Sequence, residues 1–425
     1  MKGKYIVGLD IGTTKVCVVA GRVLSGQTEI IGLGLSPSGG IRKGVVVDIN
    51  ATVDSIKKAV SEAESSSGLS IRTAYVGIAG SHIKCIESYG AVGIKGNEVT
   101  RQDVQKVIDS AASVYVPLDR EVLHILPSDF IIDGQEGIVQ PVSMSGVRLE
   151  AKVSIVTTSL PIIENLMKCC EKAGIRPVDI VLEPIASSMA VLKEEEMQSG
   201  VALIDMGGGT TDIAIYKDKR LRHTSVIPIG GNHITNDIAI GLRVSQKEAE
   251  RLKKTYGTAL VELFRDEMEI FGMNGEQRKN LPRKYIAEII KPRCEELFSL
   301  IKTEIGEALN SDDTGRHQAK EHMLYSSVLT GGTSLLPGID RVAEAIVGLA
   351  VRGSAAPDVN MPSANSAGVA SPMYSTAIGL MLYGIDMESK TSIHESLIHR
   401  VSGIWRGWDM FGIKESLKVL TSKIF

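Results

Sequence analysis

Two short segments carry glycines, threonines and an acid in an order that could hold a polyphosphate. Gly8-Leu9-Asp10-Ile11-Gly12-Thr13-Thr14-Lys15 stands between apolar runs at 5–9 and 15–20. Asp205-Met206-Gly207-Gly208-Gly209-Thr210-Thr211 stands in the same way between apolar runs at 201–204 and 212–216. A glycine-threonine turn between two strands aims several backbone N–H groups at one point, and glycine lets an anion approach the backbone closely. Asp10 and Asp205, each just ahead of its turn, could together hold Mg2+ through waters, because magnesium keeps part of its hydration shell. Lys15 could add positive charge to the phosphates. A single such turn is equally a tight hairpin. Its repetition far along the chain points to internal duplication and to two related α/β domains facing each other, with a turn on each side of a triphosphate.

Two further segments extend this picture. Leu329-Thr330-Gly331-Gly332-Thr333-Ser334 reads as a strand running into a glycine pair, where a flat ring could lie on bare backbone. Alone it is also an ordinary loop. Glu250-Arg251-Leu252-Lys253-Lys254 lies on a predicted helix ending before Gly257, where Glu250 and Lys254 could be no more than an exposed ion pair of about 0.2–0.5 kcal/mol.

The last residues offer a different chemistry. Ile413, Leu417, Leu420 and Ile424 fall on one helical face, with Lys414, Lys418 and Lys423 off it. Phe411 and Phe425 add apolar mass at the ends, and Trp405 and Trp408 are the chain's 2 tryptophans, a residue suited to the lipid–water boundary. A helix over 410–425 would measure roughly 24 Å. Half its surface is polar, so it would lie on an anionic bilayer or pack on its own domain.

The elements that must position these groups can be placed coarsely. A helix is expected at 99–114 with Thr100 as N-cap, strands near 121–132 and 147–158, and a second helix at 161–173 stopped by Gly174. Residues 84–164 read as a small inserted α/β subdomain. Residues 232–310 read as mainly helical, with Pro292 kinking or dividing the stretch 283–309. A strand is expected at 326–330, loop at 353–372 and a closing helix at 373–384. The expected divisions are first domain at 1–83, 165–196 and 353–385, insertion at 84–164, second domain at 197–231 and 311–352, helical subdomain at 232–310, linker at 386–409 and terminal helix at 410–425.

Bulk composition is compatible with this plan. At 425 residues and 43% hydrophobic content the chain can fill more than one core. Net charge is −3, so no basic excess points to nucleic acid. The 5 cysteines form no metal-type spacing and read as reduced thiols. No signal peptide and no run long enough to cross a bilayer is seen, so any membrane contact is expected to be peripheral.

The order of motifs carries a resemblance. The first turn, the segment DMGGGTTD at 205–212 and the segment LTGGTSLLPG at 329–338 are similar to the two phosphate motifs and the adenosine motif of the actin, sugar-kinase and chaperone ATPase superfamily. LEPIASSMAVL at 182–192 and YSTAIGLMLYG at 374–384 resemble its two hinge helices. Within it, the segments 133–138, 145–149, 221–232 and 287–293 resemble the FtsA family of bacterial cell-division proteins.

That resemblance implies an actin-like, ribonuclease H-like duplicated α/β fold. It would have an interdomain nucleotide cleft, an inserted subdomain of the 1C type and a C-terminal amphipathic helix. It implies ATP and Mg2+ as ligands. Gly12, Thr13, Thr14, Lys15, Gly207, Gly208, Gly209, Thr210, Gly230, Gly331 and Gly332 would contact nucleotide. Glu250 and Lys253 would bracket ribose and adenine, and Asp10 and Asp205 would hold the metal. Glu183 matches the acid that polarises water in hydrolysing relatives, which allows ATPase activity without establishing it. The implied partners are the C-terminal tail of FtsZ on the helical subdomain, further copies in a filament, anionic lipid and later division proteins, at the cytoplasmic membrane face of the septum. Arg293 lies on the matching helix and suits an acidic peptide, though a solvated helix charge reads the same. A metabolic kinase would need a catalytic base that cannot be nominated, a chaperone ATPase would need a further domain, and an MreB-type filament lacks the insertion and the amphipathic end.

Overall fold

Strands that are apolar at nearly every position must be covered on both faces. That requirement organises the computed structural model, which describes residues 5–24, 26–261, 267–271, 278–311, 324–354 and 370–398. The chain opens with β1 (Tyr5–Ile11), β2 (Lys15–Leu24) and β3 (Gln27–Pro37), then a short ribbon of β4 (Ile41–Arg42) and β5 (Val45–Val46), then α1 (Ile49–Ser67) and β6 (Thr73–Ile78). The insertion follows as β7 (Lys84–Gly93), α2 (Arg101–Ala112), β8 (Arg120–Ile132), β9 (Gln135–Ile138) and β10 (Arg148–Ser159). The first domain resumes with α3 (Leu160–Lys172), β11 (Arg176–Leu182), the hinge helix α4 (Glu183–Val191) and α5 (Glu194–Ser199). The second domain contains β12 (Val201–Met206), β13 (Thr211–Lys217), β14 (Arg220–Ile227), α6 (Gly231–Leu242), α7 (Gln246–Tyr256), β15 (Glu267–Phe271), β16 (Arg278–Pro282), α8 (Lys284–Ser311), β17 (Ser326–Thr330), α9 (Ile339–Val347) and β18 (Ala350–Gly353). The last described element is α10 (Ser375–Ile398).

The duplication is visible in topology. One five-stranded sheet has the order β11-β6-β1-β2-β3 and the other β18-β17-β12-β13-β14. In each, three antiparallel strands are followed by two added in parallel. Alternate residues of a strand serve different cores. Ala202, Ile204 and Met206 of β12 enter the second domain's own core, while Val201 and Leu203 face α4 and α10. That central core takes Ile6, Val19 and Tyr75 from the first sheet as well, so α4 and α10 are packed between the two sheets and join them. The helices cross closely, because a Cβ at Gly379 of α10 would collide with the carbonyl oxygen of Ala186 on α4. The insertion has its own core, in which α2 lays Val104, Val107, Ile108 and Ala111 on the sheet β7-β10-β8-β9. Thr100 and Asp103 close a capping box at the start of α2.

Several expectations change. Pro292 does not divide its helix: α8 runs unbroken through it, because the face carrying Ile286, Ile290, Leu297, Phe298 and Ile301 is held in the core. The region 232–310 is mainly helical as expected, with β15 and β16 added as an antiparallel hairpin. The closing helix does not stop at 384. It continues to Ile398, and Met387, at 3% exposure, still packs in the central core, so 386–398 is not linker. The tail residues Trp405, Trp408, Phe411, Ile413, Lys414, Leu417, Lys418, Leu420, Lys423, Ile424 and Phe425 lie outside the described residues. Among the described residues no helix is long and apolar enough to cross a membrane.

The hinge crossing gives a stability contrast. Gly379→Ala should cost about 1–3 kcal/mol through overpacking. Gly306→Ala, in α8 where nothing lies within 4 Å of the added methyl, should add about 0.5–1 kcal/mol. Urea midpoints measured on both variants test this, and equal midpoints would show that the α4–α10 crossing is not sterically limiting.

Candidate functional site

The two glycine turns close in the same way. The Gly12 N–H donates to the Lys15 carbonyl at 3.0 Å, and the Gly207 N–H to the Thr210 carbonyl at 2.9 Å. Superposing the turns therefore equates Asp10 with Asp205, Thr13 and Thr14 with Gly208 and Gly209, Lys15 with Thr210 and Cys17 with Asp212. Both turns sit at the ends of β1 and β12 and face each other. A Cβ on Gly208 would strike the Thr14 side chain, and one on Gly209 would come within 2.7 Å of Thr13 Oγ1. The threonines of one copy thus occupy the space that glycine leaves in the other.

Between them opens a cavity of about 700 Å³. It runs from Asp10, Lys15, Glu183, Asp205 and Asp212 past Glu250 and Lys253 to Gly331 and Gly332. Lys15 Nζ donates to Asp10 Oδ2 at 2.9 Å, so the lysine is held by its own copy's acid. Burial is the largest influence and opposes the Lys15 charge, but Asp10, Cys17 and Asp205 together keep the ammonium above the ordinary lysine range. Asp205 Oδ2 accepts from Ser187 Oγ at 2.6 Å and from Thr376 Oγ1 at 3.3 Å, one hydroxyl from each hinge helix. Burial still pushes the Asp205 carboxyl up.

Asp212 pairs with Asp205 across β12 and β13. Burial, then the charge of Asp205, pushes its carboxyl up to about 8. Its Oδ2 accepts from Thr210 Oγ1 at 3.2 Å, while the buried Oδ1 has no hydrogen-bond partner. Glu183, at the start of α4, is held well above the carboxylate range by burial and then by Asp10, Asp212 and Asp205. This end of the cavity thus carries more acid than base. Among the described residues no three His, Cys, Asp or Glu side chains converge to bind a metal by themselves. An orphaned carboxylate oxygen and surplus buried acid fit a hydrated divalent cation that takes its remaining ligands from water and phosphate.

The far end is built on α6 and α7. The N–H groups of Gly231 and Asn232 donate to the carbonyls of Gly207 and Gly208 at 3.0 and 2.8 Å, which docks α6 on the second turn. Gly230 has no room for a side chain, since a Cβ would lie 2.6 Å from the Gly207 carbonyl oxygen. Lys253 Nζ reaches the Gly231 carbonyl at 2.9 Å, Thr235 Oγ1 at 2.7 Å and Glu250 Oε2 at 2.7 Å. Glu250 is therefore no free surface acid: burial opposes its charge, and Lys253, Thr235 and Lys254 overcome it and depress its carboxyl. Thr333 Oγ1 donates to the Gly207 carbonyl at 2.8 Å and ties the third glycine segment to the same turn.

The residues expected at nucleotide and metal line this one cavity, with Gly230 packed just behind the second turn; Arg293, expected instead to meet an acidic peptide, stands apart from it. That residue lies on α8 and forks onto Asp237 at 2.7 and 3.0 Å, with Glu296 beside it. It is committed to an internal pair rather than presented alone to a peptide. The sequence reading missed Asp212, Ser187, Thr376, Thr235 and Thr333. The one local signal at Asp212 is an acid amid the apolar residues of β13, and its role shows only in its pairing with Asp205.

The chain matches the family model described as Cell division protein FtsA over residues 202–379, and that described as SHS2 domain inserted in FTSA over 80–157. It is 43% identical over 394 residues to the cell division protein FtsA of Pseudomonas aeruginosa, covering 91% of each chain. It is 39% identical over 385 residues to that of Escherichia coli K12, covering 90% of each. Against FtsA of Bacillus subtilis it is 38% identical over 381 residues, covering 89% of this chain and 82% of the relative. Among solved structures, the PilM-PilN type IV pilus biogenesis complex aligns with a TM-score of 0.63 at 17% identity, over 89% of this chain and 98% of that one. MreB5 of Spiroplasma citri bound to ADP aligns with 0.56 at 16% identity, over 92% and 98%. At such identities the structural likeness speaks for the fold, which is actin-like α/β with an SHS2 insertion. The extent and level of identity to its sequence relatives place the chain in the FtsA family of cell-division proteins.

Proposed function

We propose that the protein binds ATP with Mg2+ in the interdomain cavity and works as a cell-division adaptor, holding FtsZ filaments to the cytoplasmic face of the membrane through its C-terminal amphipathic helix. The observation that carries the nucleotide reading is the pair of mutually fitted turns at 12–15 and 207–210, which lets backbone N–H groups of two domains address one anion. The same fold in MreB5 of Spiroplasma citri has been solved bound to ADP and to AMPPNP. In this chain Thr13, Thr14 and Gly207 to Thr210 line the phosphates, and Lys15 supplies charge. Glu250 and Lys253 flank the ribose and base, and Gly331 and Gly332 receive the ring. Asp10, Asp205 and Asp212 hold the hydrated cation, which when bound offsets phosphate charge. Glu183, whose carboxyl burial and the charges of Asp10, Asp212 and Asp205 push up, stands where it would position a water by hydrogen bonding.

Tethering rests on family membership and on the spacing of apolar and lysine residues at 410–425. Polymerisation and docking of the FtsZ tail on the subdomain of α6, α7 and α8 belong to the same reading, as does recruitment of later division proteins. Linked copies would gain avidity for the bilayer.

Three measurements test this. Lys15→Ala should weaken ATP binding by about tenfold or more in calorimetry, since a buried charge-assisted contact is lost; unchanged affinity would place the phosphates elsewhere. In liposome co-sedimentation with anionic lipid and ATP, the full chain should pellet and carry FtsZ, whereas a chain ending at Ile398, which preserves α10, should not. If both stay soluble and neither recruits FtsZ, the adaptor reading fails and small-molecule kinase substrates become the next screen. The third concerns Asp212. Its folded-state value of about 8 lies above that of an unfolded aspartate, so the folded chain keeps a proton that the unfolded chain releases. Nucleotide-free stability therefore falls as pH rises through that window. Asp212→Asn should raise the melting temperature of nucleotide-free protein more near pH ~8 than near pH ~5. An equal increment at both would remove the buried acid from the account.

A further inference from the structure

The SHS2 insertion touches both halves of the cleft. On one side it grows from the first domain, and its two crossings are fastened together: Arg120 Nη2 donates to the carbonyls of His82 and Thr157 at 2.8 and 2.9 Å. The Leu182 N–H, next to Glu183, donates to His124 Nε2 of β8 at 3.0 Å. On the other side β14 of the second domain reaches across. Arg220 donates to the Ser128 carbonyl at 2.9 Å and the Val139 carbonyl at 2.6 Å, and Arg222 donates to the same Ser128 carbonyl at 2.8 Å.

Two local irregularities make this contact. In the β8–β10 ladder Asp129 faces Lys152 while Pro127 faces Val153, so Ser128 is skipped. In the β13–β14 ladder Ile215 faces His223 while Tyr216 faces Leu221, so Arg222 is skipped. A bulge bends its strand and re-aims the extra residue. Here one bulge turns out a carbonyl and the other turns a guanidinium toward it. The guanidinium of Arg220 lies 5.4 Å from the Phe130 ring centre and 3.9 Å from Asp129.

The contact is specific yet separable. It rests on bonds from side chains to backbone carbonyls, one ring contact and one long ion pair, with the like charges of Arg220 and Arg222 crowded together beside Asp129 and Asp218. The neighbouring seam leaves Thr224 Oγ1 buried without a hydrogen-bond partner. It is also mechanically connected to the cleft. β14 pairs with β13 along its length, with Val226 opposite Asp212, so the arginines and the second turn ride on one sheet.

We propose that Arg220 and Arg222 form a latch between the second domain and the SHS2 insertion. When the second domain rotates about the α4–α10 hinge, the insertion cannot follow both halves. The tie to the first domain is covalent, so the latch is the contact that yields. Nucleotide state at the cleft is thereby transmitted to the orientation of the insertion. This coupling rests on the ATP reading above; the latch itself does not.

The test uses electron spin distance measurement on the full chain with labels at Tyr115→Cys on the insertion and Tyr325→Cys on the second domain, both exposed, in a Cys85→Ser background that removes the exposed thiol. Without nucleotide, the parent should give one narrow distance, and Arg220→Ala with Arg222→Ala should broaden it. With ATP and Mg2+, the parent distribution should shift, the doubly substituted chain should not track that shift, and its apparent ATP affinity should change about fivefold or more by linkage. Arg220→Lys with Arg222→Lys keeps the charge and cannot fork between carbonyls, so it should behave like the alanine pair while guarding against misfolding. Superimposable distributions for parent and variants in both conditions would overturn the latch. If calorimetry shows no ATP binding to the parent, the cleft reading fails, and the nucleotide-free comparison still decides the latch.

Discussion

The structure depends on the close approach of two turns. Thr13 and Thr14 fit only because Gly208 and Gly209 carry no side chain, and the second turn in turn accepts α6 only because Gly230 is bare. This fit sets how near the two sheets can come at the ends of β1 and β12. The rest of the fold meets that requirement. α4 and α10 fill the wedge behind the turns with small and aliphatic side chains, and their crossing at Gly379 and Ala186 fixes the opening angle. Gly8 makes the same allowance on β1, where a side chain would strike the Ala377 carbonyl on α10.

That approach has an electrostatic consequence. It collects Asp10, Asp205, Asp212 and Glu183 around one cavity with Lys15 as the cation in their midst. Burying like charges is costly unless some are protonated or a cation joins them. The raised carboxyls of Asp205, Asp212 and Glu183 are the nucleotide-free protein's answer to that cost. A cation bound among these acids would relieve that cost, so on the ATP reading proposed above ligation would stabilise the folded protein.

How much could be read beforehand depends on how local each feature is. The turns were legible because glycine, threonine and aspartate at fixed spacing have few other uses, and the repetition made them mutually supporting. The N-cap at Thr100 and the stop at Gly174 were legible for the same reason. Asp212 was not, because its meaning comes from standing opposite Asp205 across a ladder. Ser187 and Thr376 look like small residues on apolar helices until the helices meet at Asp205. Pro292 looked like a break, yet tertiary packing carried α8 through it. The extension of α10 past 384 followed from burial of Met387, which no local signal announces. The bulges at Ser128 and Arg222 are a register property of paired strands, invisible in either strand alone.

The two sheets share topology but not surroundings, and the difference lies at their edges. On the first sheet β3 is edged by α1: Ser66 Oγ bonds both backbone groups of Leu33 and Glu62 accepts from the Leu35 N–H. On the second sheet the equivalent edge strand, β14, is covered by the insertion, a body rooted in the opposite domain. A helix of its own domain moves with its sheet. A body rooted across the hinge cannot. The duplicated fold therefore carries one edge that is rigidly internal and one whose cover must be renegotiated whenever the domains move, and the SHS2 insertion sits on the second.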